Sequence, residues 1–219
     1  MHLAPGLIAA LAAIEKRLDG ALAIVSGRPV DALDRFLDPW RPTLAAEHGS
    51  LLRLADGTLF APPPPDLLPA DTAASTLAAE HPGLYVERKT AAIALHYRSA
   101  PQLETLCRHT LSSVVALDPA LELLEGKYVV EVKPAGTNKG RAISALMDRP
   151  PFAGRRPLFA GDDTTDEAGF ASVQALGGEG IKVGGGETVA VHRCASPDVV
   201  RGWLAATLPA DHPAALALQ

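Results

Sequence analysis

The densest chemistry in the chain is Gly161-Asp162-Asp163-Thr164-Thr165-Asp166-Glu167, with four carboxylates in six positions. Held close together without a counter-charge, they would repel one another and resist ionisation. A hard divalent cation resolves that conflict, and Mg2+ suits a shell of carboxylate oxygens and waters. The apolar run Pro157 to Ala160 comes directly before them, and a helical pattern follows from Thr165. The acidic residues therefore stand at the carboxyl end of an expected buried strand, where open α/β sheets place their ligands. The competing reading is an exposed helix start, capped by Thr164 or Thr165, with Glu167 favoured by the helix dipole.

Two further places offer donors to a phosphate. Ser26-Gly27-Arg28 follows the apolar run Ala21 to Val25 and precedes a helical pattern. A hydroxyl and backbone N–H groups at a helix entrance can hold phosphate oxygens. Taken alone, the tripeptide fits an ordinary turn equally well. Lys139 opens a helix after Gly136-Thr137-Asn138. A lysine there can neutralise charge that develops during phosphoryl transfer, although a surface lysine is its plainer reading.

The elements that must carry these residues follow from periodicity. Leu7, Ile8, Leu11, Ile14 and Leu18 share one helical face over Pro5 to Leu18. Ala21 to Val25 and Thr43 to Ala46 read as strands covered on both faces, with a helix over Val30 to Leu37 between them. Pro62 to Pro65 form a rigid connector, since successive prolines fit neither a helix nor an inner strand. Helices over Thr72 to Glu80 and Pro101 to Val115 then mix with four strands. Of these, Ala92 to Arg98 alternates Ile93, Leu95 and Tyr97 with Ala94, His96 and Arg98, as in an antiparallel sheet with one open face. Helix–strand alternation resumes over Lys139 to Met147, Pro157 to Ala160, Thr165 to Leu176, Gly180 to Val183, Val191 to Cys194 and Pro197 to Leu208. The expected fold class is α/β, a layered core of residues 1–58 and 134–219 with an α+β domain, 59–133, inserted into it.

Composition narrows the function classes. Of 219 residues, 47% are hydrophobic and 21% charged, which suits a globular chain. The apolar stretches are broken by charge well before the roughly 20 residues that span a bilayer. A net charge of -5, with no basic stripe, disfavours nucleic acid as a partner. Cys107 and Cys194 are too far apart for a metal knuckle and read as free thiols of a reducing compartment. With no secretory signal visible, a cytoplasmic location is expected.

Together the three pieces resemble the haloacid-dehalogenase-like phosphatases, and within them the trehalose 6-phosphate phosphatases. Ala23-Ile24-Val25-Ser26-Gly27-Arg28 matches the second motif of that superfamily, Asn138-Lys139-Gly140 the third, and Gly161 to Glu167 the fourth. More specific to the trehalose branch are Ala46-Glu47-His48-Gly49, Val86-Glu87-Arg88-Lys89, His96-Tyr97-Arg98, and Gly126-Lys127 through Val129 to Pro134. The resemblance implies a three-layer haloacid-dehalogenase-like (Rossmann-like) core with a cap domain, and Mg2+-dependent hydrolysis of trehalose 6-phosphate to trehalose and phosphate. It makes Ser26, Lys139, Asp162 and Asp166 the catalytic group, with Ser26, Gly27 and Lys139 on the phosphate and Asp162 and Asp163 on the metal. It places Arg28, Glu87, Lys89, His96, Arg98, Glu131 and Lys133 on the sugar side, where charged groups suit hydroxyls. A monomer is expected, with the synthase that makes trehalose 6-phosphate as the candidate protein partner.

One family element is not spelled. These phosphatases begin with a strand ending in Asp-x-Asp-Gly-Thr, in which the first Asp attacks phosphorus and the second moves protons. No Asp-x-Asp occurs in the chain, whose first residues match the helix after that motif. A truncated sequence, a start assigned too late or a locally incomplete chain is the expectation, and little or no turnover is expected from the chain as it stands. The missing strand would lie mid-sheet and leave its neighbours with unpaired backbone groups. Asp56-Gly57-Thr58 echoes the motif, but Leu54 occupies the nucleophile's position, so a turn is expected there. The alternatives are another sugar phosphatase of the same class, or a noncatalytic sugar-phosphate-binding protein.

Overall fold

Short apolar runs and amphipathic stretches become strands and helices largely as their periods demand. A computed structural model describes residues 5–61 and 65–209. Of the expected proline connector, residues 62–64 lie outside that set. The described residues up to Phe60 and from Asn138 onward form one compact unit, and those within Ala61–Thr137 form a second.

In the first unit, α1 (Leu7–Arg17) buries Ala10 and Ile14 and leads to β1 (Ala23–Val25). Then come α2 (Val30–Leu37), β2 (Thr43–Ala46), β3 (Leu51–Arg53) and β4 (Leu59–Phe60). β1 and β2 are parallel, whereas β3 and β4 extend the sheet antiparallel. β2 is buried throughout because its side chains divide between two layers. Leu44 and Ala46 pack with Leu33 and Leu37 of α2, while Ala45 meets Ala142 and Leu146. β3 and β4 are too short to announce themselves by alternation. Between them the Leu54 N–H donates to Thr58 O at 2.9 Å and Asp56 Oδ1 accepts from the Thr58 N–H at 2.8 Å. The echo of the nucleophile motif is therefore a hairpin turn.

The second unit is an antiparallel sheet backed by two helices. Its elements run α3 (Leu68–Glu80), β5 (Tyr85–Arg88), β6 (Ile93–His96), α4 (Glu104–Val115), β7 (Leu121–Gly126) and β8 (Val129–Pro134). The strand order is β5-β6-β8-β7. Ile93, Leu95, Val130 and Val132 pack onto Ala74, Leu77, Cys107 and Leu111 of the helices. Glu87, Ala94 and Glu131 form a cross-strand row. That row belongs to the face expected to be open, yet Ala94 and Glu131 are both buried. The reason is local: Lys89 and Glu131 pair across the sheet there.

The chain re-enters the first unit with α5 (Lys139–Met147), β9 (Leu158–Gly161), α6 (Glu167–Ala175), β10 (Glu179–Val183), β11 (His192–Cys194) and α7 (Pro197–Ala206). β9, β10 and β11 make a parallel sheet of their own. Among the described residues the core strands thus form two sheets, and β1 and β9 each keep one edge without a strand partner. The edge position of β9 corrects its reading as a buried strand, since Leu158 is 54% exposed. Only one side of β9 is covered: Phe159 turns to Phe170 of α6, with ring centroids 5.4 Å apart.

A consequence is measurable by chemical denaturation. Leu158→Thr should change stability by less than about 0.5 kcal/mol, as exposed positions do. Leu44→Ala, at a fully buried site, should cost about 2–5 kcal/mol.

Cys107 and Cys194 are free thiols, and burial pushes the Cys107 thiol pKa up. Among the described residues, no helix is long and apolar enough to cross a membrane.

Candidate functional site

The acidic loop is organised by its most buried member. Asp166 is 3% exposed. Its Oδ2 accepts from the backbone N–H groups of Asp162 at 2.9 Å and Asp163 at 2.8 Å, and its Oδ1 accepts from Lys139 Nζ at 2.6 Å. Lys139 is 7% exposed and begins α5. Asn138 caps that helix, its Oδ1 accepting from the Arg141 N–H at 2.9 Å. Asp163 turns its carboxylate onto the Thr164 N–H at 2.6 Å and completes a capping box with Asp166. The cap reading of this loop and the ligand reading are thus divided among its residues. Asp163 and Asp166 hold the turn, while Asp162 is exposed and its carboxylate has no hydrogen-bond partner among the described residues.

Close packing makes the cluster possible. A Cβ on Gly161 would lie 2.4 Å from Asp166 Cγ, and one on Gly140 would lie 2.3 Å from the Ala168 carbonyl oxygen. The second obstacle is backbone and cannot rotate away. Gly140→Ala should therefore push α5 from α6, loosen the Lys139–Asp166 contact and cost about 1–3 kcal/mol. Gly202 on exposed α7 meets nothing within 4 Å, so Gly202→Ala should gain about 0.5–1 kcal/mol instead. Thermal melts of the two variants make the comparison.

Lys182 was not singled out from the sequence. It is 4% exposed, and its Nζ donates to the Asp162 carbonyl at 2.7 Å and lies 3.8 Å from Glu167 Oε1. Glu167 Oε2 in turn accepts from the Val189 N–H at 2.8 Å. A lysine inside the apolar strand Glu179–Val183 was the available signal, because a buried ammonium needs fixed acceptors.

Ser26 and Gly27 stand just beyond β1. Ser26 Oγ accepts from the Arg28 N–H at 3.2 Å, and the Arg28 guanidinium lies 5.1 Å over the Phe36 ring. The Ser26–Arg28 loop and Asn138, which directly precedes Lys139, both touch the turn at residues 47–49.

In the second unit, Lys89 Nζ donates to Glu131 Oε2 at 2.5 Å, with side-chain exposures of 8% and 6%. Burial pushes the Glu131 carboxyl upward, against the pull of the Lys89 ammonium. The other oxygen, Oε1, is buried without a hydrogen-bond partner among the described residues. His96 Nε2 and Glu87 Oε2 are 2.9 Å apart. Arg98 lies beyond the end of β6, 5.3 Å over the Tyr128 ring. Lys133 is buried and spends its donors on Glu122 and on the Thr137 carbonyl and hydroxyl. The expected site residues thus fall into a core set and a cap set.

Asp162 offers its exposed carboxylate to a metal here. Among the described residues no three His, Cys, Asp or Glu side chains are grouped to hold an ion. Asp162 fits Mg2+, which is commonly held by one or two carboxylates, waters and substrate phosphate.

The trehalose-phosphatase family model matches residues 1–196. The chain belongs to the trehalose-phosphatase family. Among its relatives, trehalose-6-phosphate phosphatase of Escherichia coli is 44% identical over 188 residues, spanning 85% of this chain and 71% of that protein. A probable trehalose-phosphate phosphatase of Sinorhizobium fredii is 42% identical over 187 residues, spanning 82% and 69%. In structure, a trehalose-6-phosphate phosphatase related protein superposes with a TM-score of 0.75 at 27% identity, over 91% of this chain and 84% of that one. A haloacid dehalogenase-like hydrolase from B. subtilis, 13% identical, superposes with a TM-score of 0.62 and covers 86% and 88%. The fold is accordingly the haloacid-dehalogenase-like α/β core with a cap subdomain, and the chain is a phosphomonoester hydrolase by family.

Proposed function

We propose that the substrate is trehalose 6-phosphate, hydrolysed to trehalose and phosphate in trehalose synthesis. The observation that carries this reading is the buried Lys139–Asp166 pair, held against the acidic loop in a trehalose-phosphatase chain. Asp166 fixes the ammonium and occupies one of its donors, leaving the others for phosphate oxygens. In this reading the Ser26–Gly27 loop, just beyond β1, would complete the phosphate site. Phosphoryl transfer needs little covalent chemistry from such groups, since positioning and charge stabilisation supply most of its acceleration. Asp162 would hold Mg2+, which supplies positive charge to the transferring phosphoryl group.

The cap set supplies acceptors for sugar hydroxyls. Glu131 Oε1 is a buried acceptor with no partner among the described residues, and Glu87 is oriented by His96. Carboxylate–hydroxyl bonds are charge-assisted, so a disaccharide satisfies them well. Lys89 opposes the upward push of burial on the Glu131 carboxyl and fixes Oε2, leaving Oε1 for a hydroxyl. Lys133 and Arg98 serve this face indirectly, through the Glu122–Thr137 contacts and the Tyr128 stack.

The test has two parts. Trehalose 6-phosphate with Mg2+ should raise the melting temperature of this chain, and should do so more than sucrose 6-phosphate or glucose 6-phosphate. A chain extended upstream by an Asp-x-Asp strand should release phosphate from trehalose 6-phosphate about tenfold faster, or more, than from the other two. Equal rates on all three would make it a general sugar phosphatase. Binding without release by the extended chain would make it a noncatalytic binder.

A further inference from the structure

We propose that the turn Glu47–His48–Gly49 is a positioning element that sets the distance between the Ser26–Arg28 loop and Lys139, with His48 as the residue that registers the loop. The inference rests on the phosphate-binding reading above and assigns a task to residues which that reading leaves idle.

Three consecutive residues of this turn are left-handed, with φ of 48° at Glu47, 57° at His48 and 98° at Gly49. Side-chain-bearing residues adopt that region only where their surroundings over-determine it, and such places gather at functional sites. Glu47 is 1% exposed and Ser50 2%, so the turn is embedded in the core. On one flank it straps the loop after β1. The Glu47 N–H donates to Arg28 O at 3.1 Å and the His48 N–H donates to Ser26 O at 3.0 Å. The His48 ring lies against Gly27 so closely that a Cβ there would be 2.3 Å from both Cε1 and Nε2. On the other flank, a Cβ on Gly49 would be 2.8 Å from the Asn138 carbonyl oxygen and from Ala142 Cβ. Asn138 is the cap of α5 and directly precedes Lys139. One rigid turn therefore touches both halves of the phosphate clamp, which are far apart in sequence. A hydroxyl and an ammonium grip one phosphate only when their spacing is held, and an error near 1 Å can cost about a hundredfold.

Two substitutions test this on the whole chain. His48→Asn keeps a side chain tolerant of the left-handed region and removes the ring from Gly27. His48→Gly removes the ring and relieves the backbone as well. Calorimetry with inorganic phosphate and with trehalose 6-phosphate, in Mg2+, is compared with thermal melting. The expected result is a loss of affinity of about tenfold or more for both ligands in both variants. The melting temperature of His48→Gly should hold or rise, because glycine removes the strain. A purely structural role would instead lower melting while affinity followed only the folded fraction. Unchanged affinity in the folded variants overturns the proposal. If the unsubstituted chain binds neither ligand, the phosphate-binding reading fails, and the proposal falls with it.

Discussion

Lys139→Ala should lower the affinity for trehalose 6-phosphate by about ten- to a hundredfold and destabilise the chain by about 3 kcal/mol. The affinity term is the loss of charge-assisted hydrogen bonds to phosphate. The stability term comes from the partner left behind. Asp166 is nearly inaccessible, and without the ammonium its charge is uncompensated in a medium that solvates it poorly. Its cost should sit at the low end of the usual range for a broken buried pair, because the Asp162 and Asp163 N–H groups still donate to Oδ2. Asp166→Asn should restore part of the lost stability in the Lys139→Ala background but none of the affinity. Calorimetry and denaturant melts of the single and double variants separate the two effects. Undiminished affinity in Lys139→Ala would remove this lysine from the clamp.

Lys89→Met should destabilise the chain by about 3–5 kcal/mol near neutral pH, and by much less in acid. Burial already holds the Glu131 carboxyl above its ordinary range, with Lys89 opposing the shift. A carboxyl whose folded pKa is raised binds more protons folded than unfolded between the two values. Stability therefore falls as pH climbs from the ordinary glutamate value through the raised one, and is level above it. Removing Lys89 raises the folded value further, so the fall becomes deeper and extends to higher pH. Adding Glu131→Gln should abolish that pH dependence and recover most of the loss. Urea titrations at several pH values give the profile directly. A Lys89→Met variant with the native profile would mean that the pair contributes little.

Much of the fold was legible because its segments have a clean period. The helices Val30–Leu37 and Lys139–Met147 and the strand Thr43–Ala46 run just as their apolar spacing requires. The hairpin strands β3 and β4 escaped because segments of two or three residues carry no alternation. The exposure of β9 escaped for a different reason. Leu158-Phe159-Ala160-Gly161 has the composition of a doubly covered strand, and composition cannot report that one of its sides is left uncovered. In the site, residue types identified the acidic loop and Lys139. Their division of labour was hidden, since only coordinates show Asp163 capping the turn while Asp162 faces solvent. Lys182 and the left-handed turn at Glu47–Gly49 are tertiary facts, set by a strand pairing and by three successive backbone angles.

The one-sided pairing of β1 and β9 has a dynamic consequence. In a parallel strand the amides point alternately to its two sides, so in β1 and β9 every second N–H points away from the strand's only partner. β2 and β10 lie between two neighbours each and have both sides paired. Amide hydrogen exchange should then be slow along β2 and β10 but alternate residue by residue along β1 and β9. Those same open edges are templates for backbone pairing with another chain. As protein concentration rises, the fast-exchanging amides of β1 and β9 should be the first to gain protection if molecules associate edge to edge.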